Sequence, residues 1–173
     1  MTNLNLVCLD FQECSLLTSI QTTLTEILSS TILLSKDEIE IDNFFNADRG
    51  QYDAAAILSL YEKKGLNRRT IIITSVDLYI PIFTYVFGLA KLEGKIGIVS
   101  AHRLKSDFYG LPPDEDLLKS RLVKEIIHEL GHLLNLRHCP DYQCVMASSN
   151  TADDLDIKGS HFCNSCLGKV GNH

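Results

Sequence analysis

At 173 residues the chain has room for a single domain with a substantial core, and its 45% hydrophobic and 22% charged content argues against a disordered or fibrous protein. A formal net charge of −6 with scattered basic residues argues against a nucleic-acid partner, which requires clustered Lys and Arg. No apolar stretch is long enough to span a membrane, and the start "MTNLNLVCLDFQEC" lacks a charged residue followed by an apolar run, so a cytoplasmic protein without membrane association is expected. In that compartment the six cysteines stay reduced, and clustered ones point to metal before disulfides.

The alternation over Asn3 to Leu9 predicts a strand, and Leu17, Ile20, Leu24, Ile27 and Leu28 predict a helix over Ser15 to Leu28. Glu38 to Phe44 alternates charge with Ile39, Ile41 and Phe44, which reads as a second strand. Arg49 to Lys64 has helical spacing and stops at Gly65, a suitable carboxy-terminal cap. Thr70 to Val76 ("TIIITSV") is β-branched and apolar, the pattern of a buried central strand. Phe83 to Ala90 and Lys95 to Ala101 then read as a hairpin turning at Leu92-Glu93-Gly94. Pro112-Pro113 interrupts the chain before a helix capped by Asp114 and running to about Leu134, with Leu118, Leu122, Val123, Ile126, Ile127 and Leu130 as its buried stripe. The elements together predict a mixed sheet with helices. Beyond Asn135 periodicity vanishes, so something other than helix or sheet is expected to organise the tail.

That long helix carries "HELGH". His128 and His132, four apart, project from one face, and two neutral imidazoles at that spacing can grip one Zn2+. Glu129, one residue round the helix, is placed to take a proton from water instead of binding metal. Alone, the motif also fits a buried structural helix with satisfied histidines. His138, six residues past His132, makes a third ligand if the chain turns back beyond the helix end. The turn falls at Asn135, the residue type most tolerant of a left-handed backbone after glycine. Three imidazoles leave a coordination position open, the hallmark of a catalytic site.

Further on, Cys139, Cys144, Cys163 and Cys166 form C-x4-C and, after an eighteen-residue gap, C-x2-C. Four thiolates can close a tetrahedral shell around a structural Zn2+. The alternatives are disulfides or loose reduced thiols. Cys8 and Cys14 read as plain core or surface thiols, His161 as an exposed extra donor, His102 as unassigned, and Asp153, Asp154 and Asp156 as a solvated acidic loop without EF-hand spacing.

"HELGHLLNLRHC" resembles the HExxHxxGxxH helix and turn of the metzincin metallopeptidases, and Cys144-x-Met146 with Cys163-x-x-Cys166 is similar to the archaemetzincin family in particular. Asn135 departs from that pattern, which has glycine there. The resemblance implies an α+β fold: a mixed, mostly parallel sheet with an antiparallel edge strand, an active-site helix and an irregular, zinc-knit tail. It implies one metallopeptidase domain over 1–173, with subdomains 1–135 and 136–173. It assigns His128, His132 and His138 to a catalytic zinc, Glu129 to the general base, Met146 to a Met-turn beneath the metal, and the four cysteines to a structural zinc, two ions in all. The activity implied is zinc-dependent hydrolysis of peptides or proteins by a monomer, inside a chain or at an amino terminus. The substrate would lie along an edge strand at Thr84 to Ala90, with Tyr109 either facing the cleft or simply packed. A zinc-stabilised binding or regulatory module is the rival reading.

Overall fold

The computed structural model describes residues 4–170. In chain order the elements are β1 (Leu4–Leu9), α1 (Leu17–Leu28), β2 (Ile32–Asp37), β3 (Phe45–Asn46), β4 (Gln51–Asp53), α2 (Ala54–Glu62), β5 (Arg69–Thr74), β6 (Leu78–Ile80), β7 (Phe83–Val86), β8 (Gly88–Ala90), β9 (Ile96–Ser100), α3 (Glu115–Leu133), α4 (Ala152–Ile157) and α5 (Asn164–Val170). Five strands form the main sheet in the order β2-β1-β5-β9-β8. All neighbours in it are parallel except β8, which runs antiparallel to β9 at the edge. A smaller four-stranded sheet, β3-β4-β6-β7, stands beside it.

The apolar runs are two-faced. Leu4, Leu6, Ile71, Ile73 and Val99 pack into one core with α1 and α3, while Val7, Leu9, Ile72, Ile96 and Ile98 pack into a second core with α2. A strand with helices on both sides needs no polar face, which is why "TIIIT" reads as an unbroken apolar run. The expected strand at 70–76 is therefore β5, central and buried. The predicted first strand is β1 from Leu4, Asn3 lying outside the described residues; the first helix is a short 3-10 turn from Cys14 leading into α1.

Three expectations are corrected. The second strand is Ile32–Asp37, beside β1, and not 38–44. The alternation at 38–44 arises because Ile39, Ile41 and Phe44 plug the second core from a loop that ends in a 3-10 turn. The helix expected from Arg49 begins only at Ala54: Gly50 is left-handed (φ 66°), β4 pairs with β6, and the Asp53 side chain caps α2 by accepting from Ala56 N–H. At the far end Gly65, also left-handed, follows α2 as expected. Finally, Phe83 to Ala90 is two strands in two sheets. Between them Phe87 turns into the core, where it is 5% exposed, and its carbonyl accepts from Ser100 N–H, so only Gly88–Ala90 edges the main sheet.

The tail is less irregular than its sequence. Thr151 and Asp154 form a reciprocal capping box on α4, and Asp156 pairs with Arg121 through two hydrogen bonds of 2.8 and 2.6 Å. The aspartates at 154 and 156 therefore have structural partners, contrary to a merely solvated loop.

Candidate metal centre and active-site cleft

α3 spans 115–133 as expected, its stripe wholly buried, so His128 and Glu129 enter the core side by side. The helix closes in a Schellman motif. Leu136 N–H donates to Gly131 O (2.9 Å), Asn135 N–H to His132 O (2.9 Å), and Asn135 stands left-handed at φ 65°. Its side chain has a partner that the sequence did not reveal. Asn135 Nδ2 donates to Glu93 Oε1 (2.7 Å), and Glu93 N–H donates to His132 O (3.2 Å). The β8–β9 turn thus clasps the end of α3 at the point where the chain reverses toward His138.

The reversal brings three imidazoles together, with one ring nitrogen from each of His128, His132 and His138 within 4.8 Å of the others. His128 Nδ1 lies 2.8 Å from Val145 O and His132 Nδ1 lies 2.8 Å from Leu136 O. With each Nδ1 proton on its carbonyl the Nε2 lone pairs face inward, where the two Nε2 atoms are 3.2 Å apart; Lys158 Nζ also lies 3.4 Å from His128 Nδ1. Burial holds all three imidazoles below the ordinary histidine value, hence neutral and able to ligate.

Glu129 is 3% exposed, and its Oε2 has no hydrogen-bond partner. Burial pushes its carboxyl well above the usual range, and nearby Glu125 adds to this. Room for it comes from Gly88: a Cβ there would sit 2.6 Å from Glu129 Oε1 and 2.8 Å from Cγ. Met146 is fully buried and lies against α3 at Gly131, where an added Cβ would fall 2.2 Å from its sulfur. A glycine inside a helix costs about 1 kcal/mol relative to alanine; here that absence of a side chain admits the methionine.

The four cysteine sulfurs of 139, 144, 163 and 166 also lie within 4.8 Å of one another, with Cys139–Cys163 and Cys144–Cys166 each at 3.8 Å. All are free thiols, so the disulfide alternative fails. The N–H of Cys166 helps hold the Cys163 thiol down to about 7, which favours its thiolate. Cys139 N–H donates to Met146 O (2.9 Å), joining this cluster to the turn under α3.

Of the remaining candidates, Cys8 is buried in β1 and Cys14 exposed; His161 is exposed. Tyr109 does not line the cleft: its hydroxyl donates to Arg103 O (2.9 Å), the packing role. His102 rests edge-on against Phe108. Tyr85 and Gly88 of the expected substrate strand line the cleft, and so do residues not singled out from the sequence, among them Ser149, Glu125 and Lys158. Only Glu125 carried a signal, since it lies four residues before Glu129 on the same helix face.

A three-histidine centre on a helix end, a buried carboxylate beside it and a methionine beneath, set against the antiparallel edge of a mixed sheet, define a zinc metallopeptidase of metzincin type. The comparisons with known proteins agree. The chain belongs to Peptidase family M54, whose model matches residues 15–172. It is 47% identical over 129 residues to the archaemetzincin of Pyrococcus horikoshii, covering 73% of this chain and 69% of that protein. Among solved structures it is similar to a zinc-dependent peptidase from Methanocorpusculum labreanum (TM-score 0.86, 30% identity, 96% of this chain and 99% of that one). It is similar also to the archaemetzincin of Methanopyrus kandleri (TM-score 0.83, 33% identity, 98% and 93%). Among the described residues no helix is long and apolar enough to cross a membrane.

Proposed function

We propose that the chain hydrolyses peptide bonds with two zinc ions, one held by His128, His132 and His138 and one by Cys139, Cys144, Cys163 and Cys166. The observation that carries the first site is the convergence of one ring nitrogen from each of the three histidines within 4.8 Å, with two Nε2 atoms 3.2 Å apart, close to the edge of a tetrahedron with Zn–N bonds of about 2.0–2.1 Å. The second rests on sulfur spacing, since 3.8 Å matches the edge of a tetrahedron with Zn–S bonds of about 2.3 Å. Zinc at the histidines supplies Lewis acidity toward a carbonyl and lowers the pKa of water. Glu129, acting as general base, takes a proton from the attacking water and later delivers it to the leaving amine. Its burial suits the uptake of that proton, because a buried site disfavours the charged carboxylate. The substrate pairs with the free edge of β8, whose backbone groups fix its direction without regard to sequence.

In this reading residues 136–173 form a subdomain held by the cysteine site, and the protein acts on peptides as a cytoplasmic monomer. The rival binding module has no use for a base beside an open coordination position, and membership of a peptidase family disfavours it. The test combines elemental analysis with a peptide-library assay on wild type and Glu129→Ala. Two zincs per chain in both proteins, with turnover lowered about 10²- to 10⁴-fold in the variant, is the expected result. Two zincs with no wild-type turnover on any peptide would return the binding module.

A further inference from the structure

The cleft continues beyond Glu129. One turn toward the start of α3, Glu125 lines the same cavity of about 440 Å³, together with Tyr85, Phe87, Ser149 and Lys158. Glu125 is 5% exposed, and its Oε2 accepts no hydrogen bond. Lys158 Nζ lies 4.0 Å from that oxygen but donates to Ala147 O (3.2 Å), so it balances charge without satisfying the carboxylate. Ser149 Oγ, also buried, has no partner either. The side of the cavity is fixed: Tyr85 Oη donates to Asn150 O (2.6 Å), Arg103 stacks on the Tyr85 ring at 4.3 Å, and Phe87 meets that ring edge-on at 5.4 Å.

The proposed mechanism uses neither of the orphaned atoms at 125 and 149. A buried acceptor lacking a donor costs about 1–3 kcal/mol, more when it is charged, and an apolar side chain entering the cavity would leave both in that condition. An acidic one would add repulsion. A lysine or arginine brings donors and positive charge to the far end and lays its methylenes along the aromatic side. Lys158 does not reverse the preference, because its Nζ is turned to Ala147 O (3.2 Å) and His128 Nδ1 (3.4 Å) and leaves Glu125 Oε2 without a hydrogen bond. We propose that Glu125 and Ser149 form the base of a specificity pocket for a basic side chain flanking the scissile bond. This rests on the peptidase reading and names its substrate class.

The experiment uses zinc-loaded protein and peptides identical except at the positions flanking the cleaved bond, where Lys, Arg, norleucine or Glu is placed. At one flanking position kcat/KM for Lys or Arg is expected to exceed that for norleucine by about tenfold or more, and Glu125→Gln to cut that ratio about tenfold, mainly through KM. Equal rates for Lys and norleucine, or a ratio that Glu125→Gln leaves intact while all peptides slow alike, would overturn the pocket. Binding of the same peptides to Glu129→Ala, followed by fluorescence anisotropy, decides the matter even if no peptide is cut. A tenfold tighter Kd for the basic peptides upholds the pocket, and equal Kd values remove it. Should Glu125→Gln not fold with Lys158 unpaired, Glu125→Leu/Lys158→Met removes both charges and carries the same expectation.

Discussion

At the scale of single residues, two positions outside the HExxH motif position its parts. Gly88 faces the Glu129 carboxyl so closely that a Cβ would lie 2.6–2.9 Å from Oε1, Cγ and Cδ. Gly88→Ala is therefore expected to displace the base and lower kcat about tenfold or more, with zinc content unchanged by elemental analysis. Equal loss of zinc and activity would show that the glycine serves the metal instead. Asn135 stands where the family pattern has glycine, and its left-handed backbone is held by the Glu93 carboxylate. Glu93→Ala removes one exposed hydrogen bond, worth about 1 kcal/mol, and is expected to weaken zinc at the histidines roughly fivefold in chelator competition. Asn135→Ala loses that bond and retains left-handed strain of about 1–2 kcal/mol, so its effect should be larger. An Asn135→Ala protein with wild-type zinc affinity would show that the clasp does not place His138.

The long helix is the element on which the site depends. Its start is set by Asp114, whose side chain accepts from Leu117 N–H (2.9 Å), and by Glu115 and Asp116 in the first turn. Asp114→Ala is expected to cost about 1 kcal/mol, a fall in Tm of roughly 2–4 °C, with turnover at 25 °C little changed, since the cap lies more than three turns from His128. A melting curve and an assay on the same sample check this. The helix was legible in the sequence because its buried stripe, cap and stop signal all agree. The edge strand was legible only in part. Its length depends on where Phe87 turns inward, and no local pattern marks that residue against its apolar neighbours on either side.

For the molecule as a whole, the two clusters of ligand residues share a backbone. Cys139 follows His138 directly, and its N–H bonds to the carbonyl of Met146 beneath the helix. Loss of the sulfur cluster should therefore loosen the third histidine as well. Cys166→Ala is expected to lower zinc per chain and to reduce Tm together, and partial loss of zinc from the histidine site should follow in titration with a chelator. Full metal content and an unchanged Tm would separate the two sites. Arg121 adds a second tie between body and tail, since its buried guanidinium reaches Asp156 and Leu104 O at once.

The sequence by itself determined which ligand-type residues are paired locally, because spacing along a helix or a short turn is a local property: His128 and His132, four apart on α3, face one way, and Cys163-x-x-Cys166 brings two thiols close together. It also determined the central strand, from an unbroken β-branched apolar run, and the long helix, from its periodic buried stripe. Only the tertiary structure decided what surrounds that chemistry. Gly88 against Glu129, Glu93 under Asn135, and Lys158 beside Glu125 are contacts between residues 30 or more apart in the chain. They are set by how the sheet edge, the hairpin turn and the tail close on one helix, and no single stretch of sequence holds both partners.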